Sequence, residues 1–141
     1  MKGLVIFFSL LFLLSTGCGH VAVPTEAPEG PDVWQFDFWG DVTWTLYAHI
    51  IDDSIAEEDL GGEITDSTHG PGSFHADYMK ATVKDGVLSG EIKGNALVQG
   101  MASWVNITFS GMISDAEGQG DWSAERIIGP AYGKWRCARQ Q

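Results

Sequence analysis

Strict alternation of apolar and polar side chains is the feature that most constrains this chain. Trp44, Leu46, Ala48 and Ile50 take turns with Thr43, Thr45, Tyr47 and His49. Val105, Ile107, Phe109, Gly111 and Ile113 alternate in the same way with Trp104, Asn106, Thr108, Ser110 and Met112. A period of two rich in β-branched and aromatic residues marks half-buried strands of an antiparallel sheet. No stretch beyond residue 33 has a convincing helical period. Asp52 to Leu60 comes closest, with Ile55 and Leu60 as its apolar anchors, and is readable as a short helical turn or an acidic loop.

A short repeat sharpens the β reading. Leu60-Gly61-Gly62-Glu63-Ile64, Leu88-Ser89-Gly90-Glu91-Ile92 and Phe109-Ser110-Gly111-Met112-Ile113 share the pattern large apolar, x, Gly, x, Ile. Alternation puts those three positions on one face. A glycine in the middle lets the strand bend or lets a large neighbour fill the gap. Turn-prone residues follow each copy (Thr65-Asp66-Ser67, Lys93-Gly94-Asn95, Ser114-Asp115-Ala116), and Asp85-Gly86 is a hairpin signal between Phe74–Lys84 and Val87–Lys93. The copies are 28 and 21 residues apart, so the pattern is a meander and not a solenoid. Gly118 to Arg126 reads as the last clear strand, with Gly118, Gly120, Trp122 and Ala124 on one face. Seven or eight strands in the 109 residues from 33 to 141 predict an all-β, up-and-down antiparallel barrel, with a two-sheet sandwich as the alternative.

The N-terminus obeys other rules. Lys2 precedes an apolar run of 11 residues, Leu4 to Leu14. A membrane-spanning helix needs about 20, whereas this is the length of a signal-peptide core. Leu14-Ser15-Thr16-Gly17-Cys18 then resembles the lipobox of bacterial lipoproteins, although Ser15 stands where the commonest pattern has Leu. The resemblance implies cleavage after residue 17, a diacylglycerol on the Cys18 thiol and a further acyl chain on its freed amine. Two or three chains suffice for stable anchoring. Residues 19 to 32 contain Pro24, Pro28 and Pro31 with few large apolar groups, the composition of an extended tether that reaches roughly 40 Å. The expected organisation is a signal peptide over 1–17, a lipidated Cys18 with its tether to residue 32, and a barrel over 33–141. Gly19 in place of Asp is compatible with sorting to the outer membrane of an enteric-type cell. Cys137 is the only other cysteine, so lipidation of Cys18 leaves it unpaired.

Beyond Lys2 the chain holds seven Lys/Arg against 19 Asp/Glu, a formal charge of −12. That balance repels nucleic acid and anionic headgroups, leaving the lipid as the expected link to the membrane. The Gly- and Trp-punctuated meander is loosely similar to small envelope barrel lipoproteins, to lipocalins and to avidins, which hold small hydrophobic ligands. The Gly120-Asp121-Trp122 to Trp135 stretch is distantly similar to the barrel ends of transferrin-binding-protein-type surface lipoproteins. Ile128 replaces the aromatic residue of that pattern, and its Glu and paired glycines are missing, so no functional residue carries over.

Catalytic motifs are missing: there is no Gly-x-Ser-x-Gly elbow, phosphate loop or His-Glu-x-x-His. The expected protein is non-catalytic and without cofactor. His69 and His75, flanking Gly-Pro-Gly-Ser, are too few ligands for a metal centre, and the acids from Asp52 to Asp59 lack an EF-hand spacing. Candidate ligand residues are Trp122 and Arg126, on one face with Ala124, and Trp104, on the face opposite Val105, Ile107 and Phe109. Arg126 is placed to meet an anionic ligand at a barrel mouth or to extend into solvent. Trp104 is expected either to pack under a loop or to present an aromatic contact surface. Two functions follow as expectations: binding of a small apolar ligand inside the barrel, or contact with an envelope protein through the outer face.

Overall fold

A computed structural model describes residues 32–140. Cys18, its lipobox and all of the tether up to residue 31 lie outside the described residues. Eight strands follow one another: β1 (Val33–Gly40), β2 (Val42–His49), β3 (Ser54–Asp66), β4 (Gly70–Lys84), β5 (Val87–Val98), β6 (Met101–Ile113), β7 (Glu117–Arg126) and β8 (Ala131–Arg139). Each pairs antiparallel with the next, and β1 pairs with β8 from Trp34↔Arg139 to Gly40↔Gly133, closing an up-and-down barrel. Closure removes the free sheet edges that a sandwich would leave.

The inward residues fill the barrel. Trp135, Phe36, Phe38, Met79, Leu88 and Ile92 are fully buried. Burial of each such side chain contributes about 2 kcal/mol. Phe38 stacks on Trp44 with ring centres 4.3 Å apart, and Trp44 meets Trp122 edge-on at 5.0 Å. Phe109 and Trp135 pack edge-on at 5.9 Å. Three of the large rings have a glycine as a cross-strand partner: Phe109 opposite Gly90, Trp122 opposite Gly133, and Trp135 opposite Gly120. Trp122 needs the space that Gly133 leaves, while Gly90 and Gly120 let neighbouring backbone come close. A Cβ on Gly133 would lie 2.5 Å from Trp122 Nε1.

Two expectations are corrected. Only Asp52 and Asp53 form a turn, both with positive φ, and from Ser54 the supposed helical or looped stretch is strand β3, registered against Tyr78–Thr82 through Ser54–Glu58. Glu58 and Asp59 are exposed and Glu57 is bonded to His49, so the low β propensity of these acids is overridden by pairing with β4. Lys93-Gly94-Asn95 is no turn either. It continues β5 past a register shift between Ala76 and Tyr78 in β4.

One seam of the barrel is loose. β2 and β3 are registered at Val42↔Asp66 and Thr43↔Thr65, then splay apart. At the far end of β2, the Glu57 carboxylate takes over the role of a strand. Its Oε2 accepts from the His49 backbone N–H at 2.6 Å and lies 2.8 Å from His49 Nδ1.

The meander sorts the connections to two ends. One end has both termini of the barrel and the turns holding Asp52, Asp53, Asp85 and Asp115. The other has the β1–β2, β3–β4, β5–β6 and β7–β8 connections, and it is there that the interior is open.

Candidate functional site at the barrel mouth

At this second end the packed rings give way to a cavity of about 40 Å³, lined among others by Trp44, Phe74, Val98, Ile107, Trp122 and Arg126. Alternation explains the lining, since every inward position of β6 and β7 near the mouth is apolar up to Ser103 and Arg126. Met101 and Ile128 stand at the rim, both partly exposed. With Leu97, Trp104 and Ile127, also exposed, they give the mouth an apolar collar.

The polar groups of the mouth are tied to one another. Arg126 Nη1 donates to Asp66 Oδ2 at 2.7 Å, and Arg126 Nε donates to the Gly129 carbonyl at 2.9 Å. Asp66 Oδ1 accepts from the backbone N–H groups of Thr68 (2.8 Å) and His69 (3.0 Å) and lies 3.1 Å from His69 Nδ1. Burial works to raise the Asp66 pKa. The Arg126 hydrogen bond, the two backbone donors and the His69 ring outweigh it and hold the carboxyl at about 2. β3 and β7 lie on opposite sides of the barrel, so the Arg126–Asp66 pair is a bar across its mouth. Ser103, also buried, accepts from the Ile127 N–H at 3.1 Å and donates to the Trp104 carbonyl.

Trp122 is inward and buried, as its alternation predicts, and its Nε1 donates to the Trp39 carbonyl at 3.0 Å. Arg126 shares that face, is 13 % exposed and is paired with Asp66, a residue 60 positions away that alternation alone does not pair with it. Trp104 lies on the outer face and is 47 % exposed, with no loop of the described residues over it. Sequence reasoning missed Trp44, the cavity residue whose indole N–H is buried without a hydrogen-bond partner. Among the described residues Trp34 Nε1 is in the same position. Its place on the inward face of an alternating strand, with Leu46 and Ala48, was the available signal.

The histidine pair is not a ligand set. Gly70 to Ser73 is already strand β4, so His69 ends the turn and bonds Asp66, whereas His75 is outward, 3.4 Å from Asp59 and 3.6 Å from Asp77. Among the described residues no three His, Cys, Asp or Glu groups converge as a metal site. Cys137 is a buried free thiol, pushed up to about 12 by burial. Comparison with models of known families, with curated proteins and with solved structures returned no match, so what the chain does has to be argued from its own geometry.

Proposed function

We propose that this chain is a lipid-anchored, non-catalytic binding protein of the bacterial envelope whose barrel mouth takes the apolar end of a small ligand. The observation behind this reading is the apolar cavity at the mouth, with the unpartnered Trp44 N–H in its wall. Its volume of about 40 Å³ is far below the roughly 300 Å³ at which pockets engulf whole ligands. The cavity therefore suits the tip of a chain or a single ring, with Met101 and Ile128 moving aside for more. A hydrogen-bond acceptor near that tip would satisfy the Trp44 N–H, which is worth about 1 kcal/mol. Anchoring through Cys18 would place the acidic end of the barrel toward the membrane and the mouth away from it.

The test is a native mass spectrum of the exported protein, never unfolded, with a titration by 1-octanol followed through backbone amide resonances. A stoichiometric adduct lost on denaturation, or saturable shifts at Trp44, Val98 and Met101, supports ligand binding. A clean mass with no shifts rejects it. The exposed collar of Leu97, Met101, Trp104, Ile127 and Ile128 favours the second reading in that case, a contact surface for an envelope protein.

A further inference from the structure

The wall of the barrel formed by β5 to β8 has an outer face unlike the rest. Cross-strand register lines up Ser89, Ser110, Asp121 and Lys134 in one row. The adjacent row runs Thr108, Ser123 and Tyr132. Between them lies a concave groove of about 730 Å³. Its floor is the backbone of Gly90, Phe109, Trp122 and Gly133, whose side chains, where they have any, turn into the barrel. The groove is thus bounded by short hydroxyl side chains in the middle, an ion pair on one flank and a phenol ring at the end.

We propose that this saddle binds a neutral pyranose saccharide, with Tyr132 as the stacking platform and Asp121 with the neighbouring hydroxyls as the polar contacts. Three features argue for a polyol. A sugar presents many groups that each donate and accept, and serine and threonine hydroxyls do the same. Thr108 Oγ1 and Ser123 Oγ already lie 3.2 Å apart, the spacing of one such bond, and Asp121 Oδ1 accepts from Lys134 Nζ at 2.6 Å. These pairs hold the polar atoms in place along the groove. Tyr132 is 60 % exposed, so one ring at the edge of the polar strip is free to meet the C–H face of a sugar.

The competing occupants fit less well. A protein contact concentrates its energy in a large desolvated aromatic or apolar side chain at its centre, and here the middle of the groove has only the short side chains of Thr108, Ser110 and Ser123. An anionic polymer meets a chain of formal charge −11, and the single cation of the groove is already neutralised by Asp121. The groove is open along its length, so it suits an extended ligand lying on the wall, and a di- to tetrasaccharide laid along the two rows covers it. This site is on the outside of the wall and does not depend on the mouth cavity.

The experiment titrates the full chain with maltotetraose and, separately, chitotetraose, reading backbone amide shifts. The expected result is a saturable shift at Ser110, Asp121, Ser123 and Tyr132 with one of the two, while Val98 and Met101 at the mouth stay unmoved. Tyr132→Ala and Asp121→Asn, both at exposed positions, should each weaken binding by about tenfold while leaving the remaining amide spectrum that of a folded barrel. No shift with either sugar at about 10 mM overturns the proposal. So do shifts that the two substitutions leave unchanged. Shifts of the same residues that grow with protein concentration and not with sugar would assign the face to self-association and overturn it as well.

Discussion

Arg126 Nη1 lies 2.7 Å from Asp66 Oδ2, and the bond between them crosses the open end of the barrel from β7 to β3. Both side chains are largely buried, so it is not an ordinary surface pair. Asp66 has almost no contact with water and Arg126 little, so each depends on the other.

Stability should therefore fall in acid over a defined range. The Asp66 carboxyl is held at about 2 in the folded protein, against an ordinary value of 3.8. A depressed pKa contributes stability that is fully present above the ordinary value and is lost as pH falls through the folded one. Between about pH 4 and pH 2 this group should account for a loss of about 2 kcal/mol. Asp66→Asn should remove that part of the pH dependence and, by leaving Arg126 buried without its counter-charge, cost about 3 kcal/mol at neutral pH. Urea unfolding of both proteins at a series of pH values checks it; parallel curves would refute it.

Glycine substitutions should separate sharply by position. A Cβ on Gly133 would fall 1.9 Å from the Trp39 carbonyl oxygen and 2.5 Å from Trp122 Nε1, in the path of the bond between them. Gly133→Ala should cost about 3 kcal/mol or more. At Gly61 the nearest atom is the Phe74 carbonyl oxygen at 3.5 Å, an ordinary contact, and Gly61→Ala should change stability by less than about 1 kcal/mol. Thermal melts of the two variants decide the matter.

The β2–β3 seam should open before the rest of the wall. Thr45 and Tyr47 share the orientation of His49, whose N–H turns toward β3, yet β2 and β3 are registered only near Val42 and Thr43. Their amides should exchange with deuterium at least about tenfold faster than those of Ile92 and Met79, which face each other in the continuous β4–β5 ladder. Glu57→Ala, which removes the carboxylate from the His49 N–H, should accelerate the exchange of His49 further. Equal protection along β2 and β5 would contradict the splayed seam.

Cys137 should be inert to alkylation in the folded state. Burial pushes its thiol up to about 12, and a Cβ on the neighbouring Gly118 would already be 3.1 Å from its Sγ. At pH 8 the thiolate that reacts is scarce and enclosed. Iodoacetamide labelling should follow the urea unfolding curve, and fast labelling without denaturant would show that the thiol is accessible.

Much of this fold was legible from the sequence, because the period of two assigns each residue its side. Alternation puts Trp122 on one face with Ala124 and Trp104 on the face opposite Val105, and Asp85-Gly86 marks a hairpin; all three hold. Local reasoning failed where distant strands decide. Ser54 to Asp59 has poor strand composition, yet it is drawn into β3 by the ladder of β4. Gly94 looks like a turn residue, but its function is to let β5 pass His75, whose carbonyl a Cβ would meet at 2.0 Å. Most of all, the partner of Arg126 is 60 residues away, and no spacing rule connects them. The cavity followed from neither composition nor motif, because it is the space left over when side chains of seven strands, β2 to β8, meet.

The closing ladder between β1 and β8 brings the two ends of the barrel side by side, with the Gln140 N–H donating to the Val33 carbonyl at 2.8 Å. Such a ring of strands has no obligatory starting point. A circularly permuted chain, with a short linker across the old ends and new ends cut at Gln99–Gly100, has every ladder available to it. Its ends would then emerge at the apolar collar. Its N-terminal strand would begin at the collar, whereas β1 of the natural order begins at the opposite end of the barrel.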